Sequence, residues 1–209
     1  MEALPRPRAA GSRGFDFSMR GTLLYLMRRT LLSVNRGTLP RMPVEIERKF
    51  LVANDGWRSA ISDSEKLRDG LVGEFDGYKV RVRRGENRAS IAVKGPRFGS
   101  RRTEFEYEIP KADAVAMLNT VCGERCVEKT RHSVPHAGFI WAVDVYEGQL
   151  AGIVLAEIEL SDEKQAFEKP DWLGTEITND PRFHKRALFR LCTDAGRPLT
   201  VAELLTAAT

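Results

Sequence analysis

From Val44 onward apolar and polar residues alternate with a period of two, the spacing of strands with one apolar and one polar face. The stretch 44–53 alternates without interruption, and the pattern predicts further strands at 66–75, 78–84 and 88–94. Gly85, Glu86 and Asn87 join the last two as a tight hairpin. Strand 101–109 is stopped by Pro110, because proline cannot donate to a ladder. A helix is predicted over 111–121, with Ala114, Val115, Met117 and Leu118 as its apolar stripe and Gly123 beyond its end. Strands return at 125–134, 139–147 and 153–160. Ser161 is placed to cap a short helix ended by Pro170; a short strand follows near 175–178 and a helix over 181–192. Thr200 and Glu203 form a capping box that opens a final short helix. This order is α+β, with mostly consecutive antiparallel strands that are compatible with closure into a barrel.

The polar faces carry charge, and the charge is sorted by strand. Glu45, Glu47 and Lys49 share one face; Arg81 and Arg83 share another, opposite Val80 and Val82. Lys94 ends its strand. Glu104, Glu106 and Glu108 form a row, Lys129 and Arg131 a pair, Asp144 stands between valines, and Glu157 pairs with Glu159. One such face is ordinary solvated sheet. Like charges grouped within strand after strand, each opposite a strongly apolar face, predict a sheet wrapped with its charged face inward around a wet channel. Carboxylates two residues apart on neighbouring strands suit a hard divalent cation. Arginine forks and lysine ammonium groups suit the oxygens of adjacent phosphates. That set offers the positioning and charge stabilisation phosphoryl transfer requires.

Charge along the chain is uneven. The net charge is +4 over 209 residues, but residues 1–41 hold eight arginines against two acids, leaving 42–209 at −2. The basic character therefore gives the patterned region no nucleic-acid signature. Within the prefix, 21–33 has the spacing of a short basic amphipathic helix, a targeting or membrane-surface segment. The prefix otherwise lacks strand alternation, as an upstream start assigned in error would, and it is expected to lie outside the working domain at 42–209. No apolar run reaches eighteen residues, so no membrane span is expected. Cys122, Cys126 and Cys192 form neither a CxxC pair nor a zinc spacing and are read as buried thiols of a cytoplasmic protein.

With these residues in view, the chain resembles the CYTH proteins, the triphosphate tunnel metalloenzymes. Glu45-Ile-Glu47-Arg-Lys49 resembles their ExExK signature, and six further blocks follow in the family's order: YKVRVRR at 78–84, SIAVKG at 90–95, TEFEYEI at 103–109, VEKTR at 127–131, AVDVY at 142–146 and AEIEL at 156–160. The resemblance implies a closed eight-stranded antiparallel β-barrel with surrounding and C-terminal helices. It implies Mg²⁺ or Mn²⁺ held by Glu45, Glu47, Glu157 and Glu159, with Glu106 and Asp144 in lesser roles. It assigns the triphosphate to Lys49, Arg81, Arg83, Lys94 and Arg131, and activation of the attacking water to Lys129. A lysine so used needs a lowered pKa, which burial or neighbouring cations provide. Glu108 is expected to face out at the tunnel mouth. His132 stands where the family commonly has an aromatic residue, and it receives no role.

The same site serves several reactions, so the fold alone does not choose among them. Metal-dependent hydrolysis of inorganic triphosphate is the leading expectation, because no separate pocket for a base or thiazole ring is evident. A class IV-like adenylyl cyclase is the alternative, and a non-catalytic module that binds polyphosphate or nucleotide is the reading from another class. The expected partner is a small triphosphate and not nucleic acid; a homodimer is left open.

Overall fold

Nine antiparallel strands, β1 to β9, are ordered β5-β4-β3-β2-β6-β7-β8-β1-β9, and an additional β1–β5 pairing closes the first eight into a barrel. The computed structural model describes residues 43–207. The strands are β1 Val44–Val52, β2 Asp63–Phe75, β3 Tyr78–Arg84, β4 Ala89–Lys94, β5 Arg101–Ile109, β6 Cys126–His136, β7 Phe139–Tyr146, β8 Val154–Glu159 and β9 Leu173–Glu176. The α-helices are α1 Lys111–Thr120, α2 Lys185–Ala195 and α3 Val201–Thr206, and short 3-10 helices lie at Asp55–Ala60, Gly148–Leu150 and Pro181–Phe183. The helix expected over 21–33 lies outside the described residues. Among the described residues no helix is long and apolar enough to cross a membrane.

β1 is flanked by β5 on one edge and β8 on the other. Val44 to Ile46 pair with β5, and Glu47 to Leu51 pair with β8. β9 adds to the far end of β1, through Phe50 and Val52, outside the barrel circuit.

The apolar outer faces are covered as the alternation requires. Val82, Ala89, Ala114, Leu118 and Cys122 bury the outer face of β3 and β4 under α1. Gly70 lets α1 come this close, because a Cβ there would stand 2.6 Å from Leu118 Cδ2 and 2.7 Å from Cys122 Sγ. Of the stripe expected on α1, Val115 instead faces solvent. A second cluster, including Phe50, Trp57, Trp141, Val143, Ile158 and Trp172, covers β1 and β6 to β8.

The segment after β8 departs from expectation. Residues 161–170 form no helix. The Gln165 side chain turns back to accept hydrogen bonds from Ser161 N and Oγ, and Asp162 Oδ1 accepts from Lys164 N, so local side-chain bonds replace a helical ladder. Phe167 then lies edge-on to Phe50 and Trp141, which holds the segment across the outer sheet.

The third cluster joins Leu51, Tyr146 and Leu155 to Phe183, Leu188, Cys192 and Leu204. Leu51 and Leu155 continue the inward rows of β1 and β8 beyond Lys49 and Glu157. The inward face is thus charged in one zone and apolar in the next, with α2 and α3 packed on the apolar zone.

Candidate active site

The inward rows enclose a cavity of about 1360 Å³. It is lined by Glu45, Glu47, Lys49, Arg81, Arg83, Lys94, Glu106, Arg131, Glu157 and Glu159, so ten of the twelve residues singled out from sequence meet in one space. The strand registers explain this convergence. Glu47 stands opposite Glu159, Lys49 opposite Glu157, Arg131 opposite Asp144, and Lys94 opposite Glu104. Side chains opposed across an antiparallel pair point to the same face, so each register delivers two charges to the inner face of the barrel.

The remaining two residues, Lys129 and Asp144, lie behind that lining. Both side chains are 0% exposed. Lys129 Nζ donates to Asp144 Oδ2, and Arg131 reaches the same carboxylate through Nε at 2.7 Å and Nη2 at 2.8 Å. Lys129 also rests against the Tyr146 ring, 5.7 Å from its centroid, at the start of the apolar zone. Burial, reinforced by Lys185 and Arg131, brings the Lys129 ammonium down to about 7 despite Asp144. Burial would raise the Asp144 carboxyl, but Lys129 and Arg131 overcome it and hold it low. Asp144 is therefore a fixed ionised anchor for two cations in this structure and does not face the cavity.

The wall is extensively ion-paired. Glu157 takes Lys49 at 2.8 Å and Arg131 at 2.7 Å. Burial opposes ionisation of Glu157, yet Lys49 and Arg131 keep its carboxyl well below the usual range. Lys94 lies between Glu45 and Glu104. Burial, with Arg81 and Arg102 nearby, brings Lys94 down to about 8. Burial and the neighbouring Glu45 push Glu104 up to about 7, while Lys94 and Arg102 overcome burial and hold Glu45 down at about 2. Glu106 turns to Ser90 Oγ at 2.6 Å and Arg81 Nη2 at 3.3 Å. Of the acidic row on β5, Glu104 is the member closest to Glu45, and Glu108 faces solvent outside the cavity.

Two features are left without protein partners. Arg81 Nε is buried and has no hydrogen-bond partner among the described residues. Glu159 makes no ion pair among the described residues, and burial together with Glu45 and Glu47 raises its carboxyl. An unmet donor suits an acceptor-rich anion; like-charged carboxylates suit a cation.

An oxygen-only set of this kind fits a hard divalent cation. Glu45, Glu47 and Glu159 are the residues whose mutual repulsion such a cation would relieve. Among the described residues, no three carboxylate, histidine or cysteine groups are already gathered as a metal site. Glu45 and Glu47 are instead drawn aside by cations, which include two arginines the strand pattern did not single out, Arg97 and Arg102.

Several wall residues escaped the sequence reading. Arg102 shares the inward row of Glu104 and Glu106, so its parity alone places it. Asp69 takes Arg83 through Nε at 2.7 Å and Nη2 at 2.9 Å, and Lys185 from α2 at 2.8 Å. Arg97 lies on the β4–β5 loop and Lys185 at a helix start, where no period of two signals direction. His132 hydrogen-bonds Ser64 Oγ at 2.7 Å and lies against Trp57, away from the cavity.

Comparison with known proteins agrees with this geometry. Residues 43–185 match the family model described as the CYTH domain. An inorganic triphosphatase of Acetivibrio thermocellus is 41% identical over 142 residues, covering 68% of this chain and 90% of that protein. An inorganic triphosphatase of Nitrosomonas europaea is 36% identical over 151 residues, covering 69% and 95%. A crystal structure of an inorganic triphosphatase aligns with a TM-score of 0.50 at 32% identity, covering 73% of this chain and 96% of that one. With the family model spanning most of the chain and its charged blocks assembled on one inner wall, the chain belongs to the CYTH family.

Proposed function

We propose that this protein hydrolyses inorganic triphosphate to diphosphate and phosphate, with Mg²⁺ or Mn²⁺ as its metal. One observation carries the reading: a single cavity presents both a carboxylate, Glu159, without a cationic partner among the described residues, beside Glu45 and Glu47, and a convergent set of cations with an unmet donor at Arg81 Nε. The two inorganic triphosphatases that align over most of the domain favour that substrate.

Glu45, Glu47 and Glu159 would hold the cation, with Glu157 and Glu106 bordering them. Bound there, a divalent cation would neutralise phosphate oxygens and the charge that develops on the leaving diphosphate. Lys49, Arg81, Arg83, Lys94 and Arg131 orient the phosphates, the arginines as two-pronged forks and the lysines as point charges. A water oxygen attacks the terminal phosphorus, the bond to the bridging oxygen breaks, and diphosphate leaves. Lys129 Nζ is the group proposed to take the proton from that water. A lysine brought down to about 7 is neutral in part of the molecules near neutral pH, which a proton acceptor requires. To serve, the amine must turn from Asp144 past Arg131 to the cavity.

An organic triphosphate is the second reading, because Leu71, Phe183 and Phe189 give part of the cavity lining an apolar character. Phosphate release from inorganic triphosphate and from ATP, side by side with Mg²⁺, Mn²⁺ or chelator, separates the two. Metal-dependent release that favours inorganic triphosphate is expected; pyrophosphate and cyclic AMP from ATP would establish the cyclase instead. Glu45→Gln/Glu47→Gln should abolish metal-dependent turnover while leaving the fold intact, and full activity of that double variant would overturn the metal assignment. The domain at 42–209 is proposed to act in the cytoplasm and to carry the activity alone, so removing residues 1–41 should leave turnover unchanged.

A further inference from the structure

Glu45 and Glu47 are clasped by two arginines outside the proposed phosphate grip. Arg97 Nη2 lies 3.2 Å from Glu47 Oε1 and 3.9 Å from Glu45 Oε2, so one guanidinium spans both carboxylates. Its Nη1 points to the carbonyls of Glu47 at 3.4 Å and Ser100 at 3.3 Å, which ties it to the β4–β5 loop. Arg102 Nε donates to Glu45 Oε2 from the adjacent strand. Both side chains line the cavity and are only 16–21% exposed.

We infer that Arg97 and Arg102 are exchange cations: they occupy the Glu45–Glu47 pair until a divalent cation takes it, and once displaced they turn onto the triphosphate. This rests on the reading of Glu45 and Glu47 as metal ligands. The physical argument is competition for the same lone pairs. A guanidinium and a divalent cation cannot both hold these four oxygens, so metal entry must break the Arg97 and Arg102 contacts. A guanidinium released in a mostly buried wall is costly without a counter-anion. A triphosphate in the cavity supplies that anion and matches the guanidinium fork. Metal and triphosphate must then favour each other's binding, and by linkage the factor is the same in both directions, on the order of tenfold.

Mn²⁺ binding followed by loss of the free-ion electron paramagnetic resonance signal tests this on the full chain, without turnover. The titration is run alone and with imidotriphosphate, whose P–N–P bridges resist hydrolysis, and the Mn²⁺ held by the analogue itself, measured without protein, is subtracted. The wild-type protein should bind Mn²⁺ weakly alone and about tenfold more tightly with the analogue. Arg97→Gln and Arg102→Gln should each bind Mn²⁺ alone several-fold more tightly than wild type, with a smaller gain from the analogue. Arg97→Lys should restore part of the wild-type behaviour, because it returns the charge without the fork. Unchanged Mn²⁺ affinity in both glutamine variants, or undiminished coupling, would overturn the exchange. If Glu45→Gln/Glu47→Gln binds Mn²⁺ as wild type does, the ligand assignment fails instead. Each arginine variant is an independent probe, so poor folding of one leaves the other decisive.

Discussion

Glu47 on β1 stands directly across from Glu159 on β8, two carboxylates opposed on the inner face of the barrel. Like charges so placed destabilise a sheet. Glu159→Gln should therefore raise the melting temperature of chelator-treated protein by about 1–2 °C. It should also remove most of the rise that Mg²⁺ gives the wild type. A variant that keeps the full Mg²⁺-induced rise would show that Glu159 does not help hold the metal.

Lys129 allows its two possible roles to be separated. As the proton acceptor it must be neutral, so wild-type kcat should climb with pH up to about 7 and level off above. Lys129→Arg keeps a cation beside Asp144 but cannot lose its proton. It should lower kcat by about 10²- to 10⁴-fold with little change in KM. Near-normal turnover in that variant would reduce Lys129 to a support for Asp144 and Arg131. Stability carries the same sign: folding lowers the lysine pKa, so the unfolded chain binds the extra proton, and stability should rise with pH from about 7 toward 10.5.

Arg81 should act chiefly on affinity. Arg81→Ala removes a buried Nε donor that has no partner among the described residues, and the lost charge-assisted bond is worth about 1.5–3 kcal/mol, or roughly 10- to 150-fold in KM. Arg81→Lys should recover only part, since one ammonium cannot reproduce the fork. Steady-state kinetics on inorganic triphosphate settle it; an unchanged KM would take Arg81 out of the grip.

Asp69 should matter for the fold as well as the wall. It is 4% exposed and neutralises both Arg83 and Lys185. Asp69→Asn leaves two cations without their anion and should cost about 3–5 kcal/mol in urea unfolding. Burial opposes its ionisation, but Lys185 and Arg83 hold its carboxyl well below the usual range. Its contribution is thus present above the unfolded carboxyl value and lost as pH falls through the lower folded one. The variant should lack that part of the acid unfolding; an identical acid limb would refute the assignment.

Much of this site was legible because a barrel strand turns residue parity into direction. Glu45, Glu47 and Lys49 had to share a face, and so did Arg81 with Arg83 and Glu157 with Glu159. Parity says which way a side chain points but not how far along the barrel it sits. It therefore could not tell that Lys129 and Asp144 lie where the charged zone meets the apolar one, sealed by Tyr146. It is also silent off the strands, which is why Arg97 on a loop and Lys185 on α2 passed unnoticed. At Ser161 a good local cap lost to the pull of Phe167 on the aromatic cluster around Trp141.

The closure of the barrel at β1, between β5 and β8, reaches into the history of each molecule. Glu45 sits in the part of β1 held by β5, and Glu47 in the part held by β8. Those partners are drawn from residues 101–103 and 155–159, far along the chain from β1. Contacts between such distant segments are slow to form, because the intervening chain must first be ordered. A partly folded chain can own every strand hairpin and still hold Glu45 and Glu47 against nothing. Catalytic competence should therefore appear only with barrel closure, as the last event of folding, so a half-made molecule would be without activity.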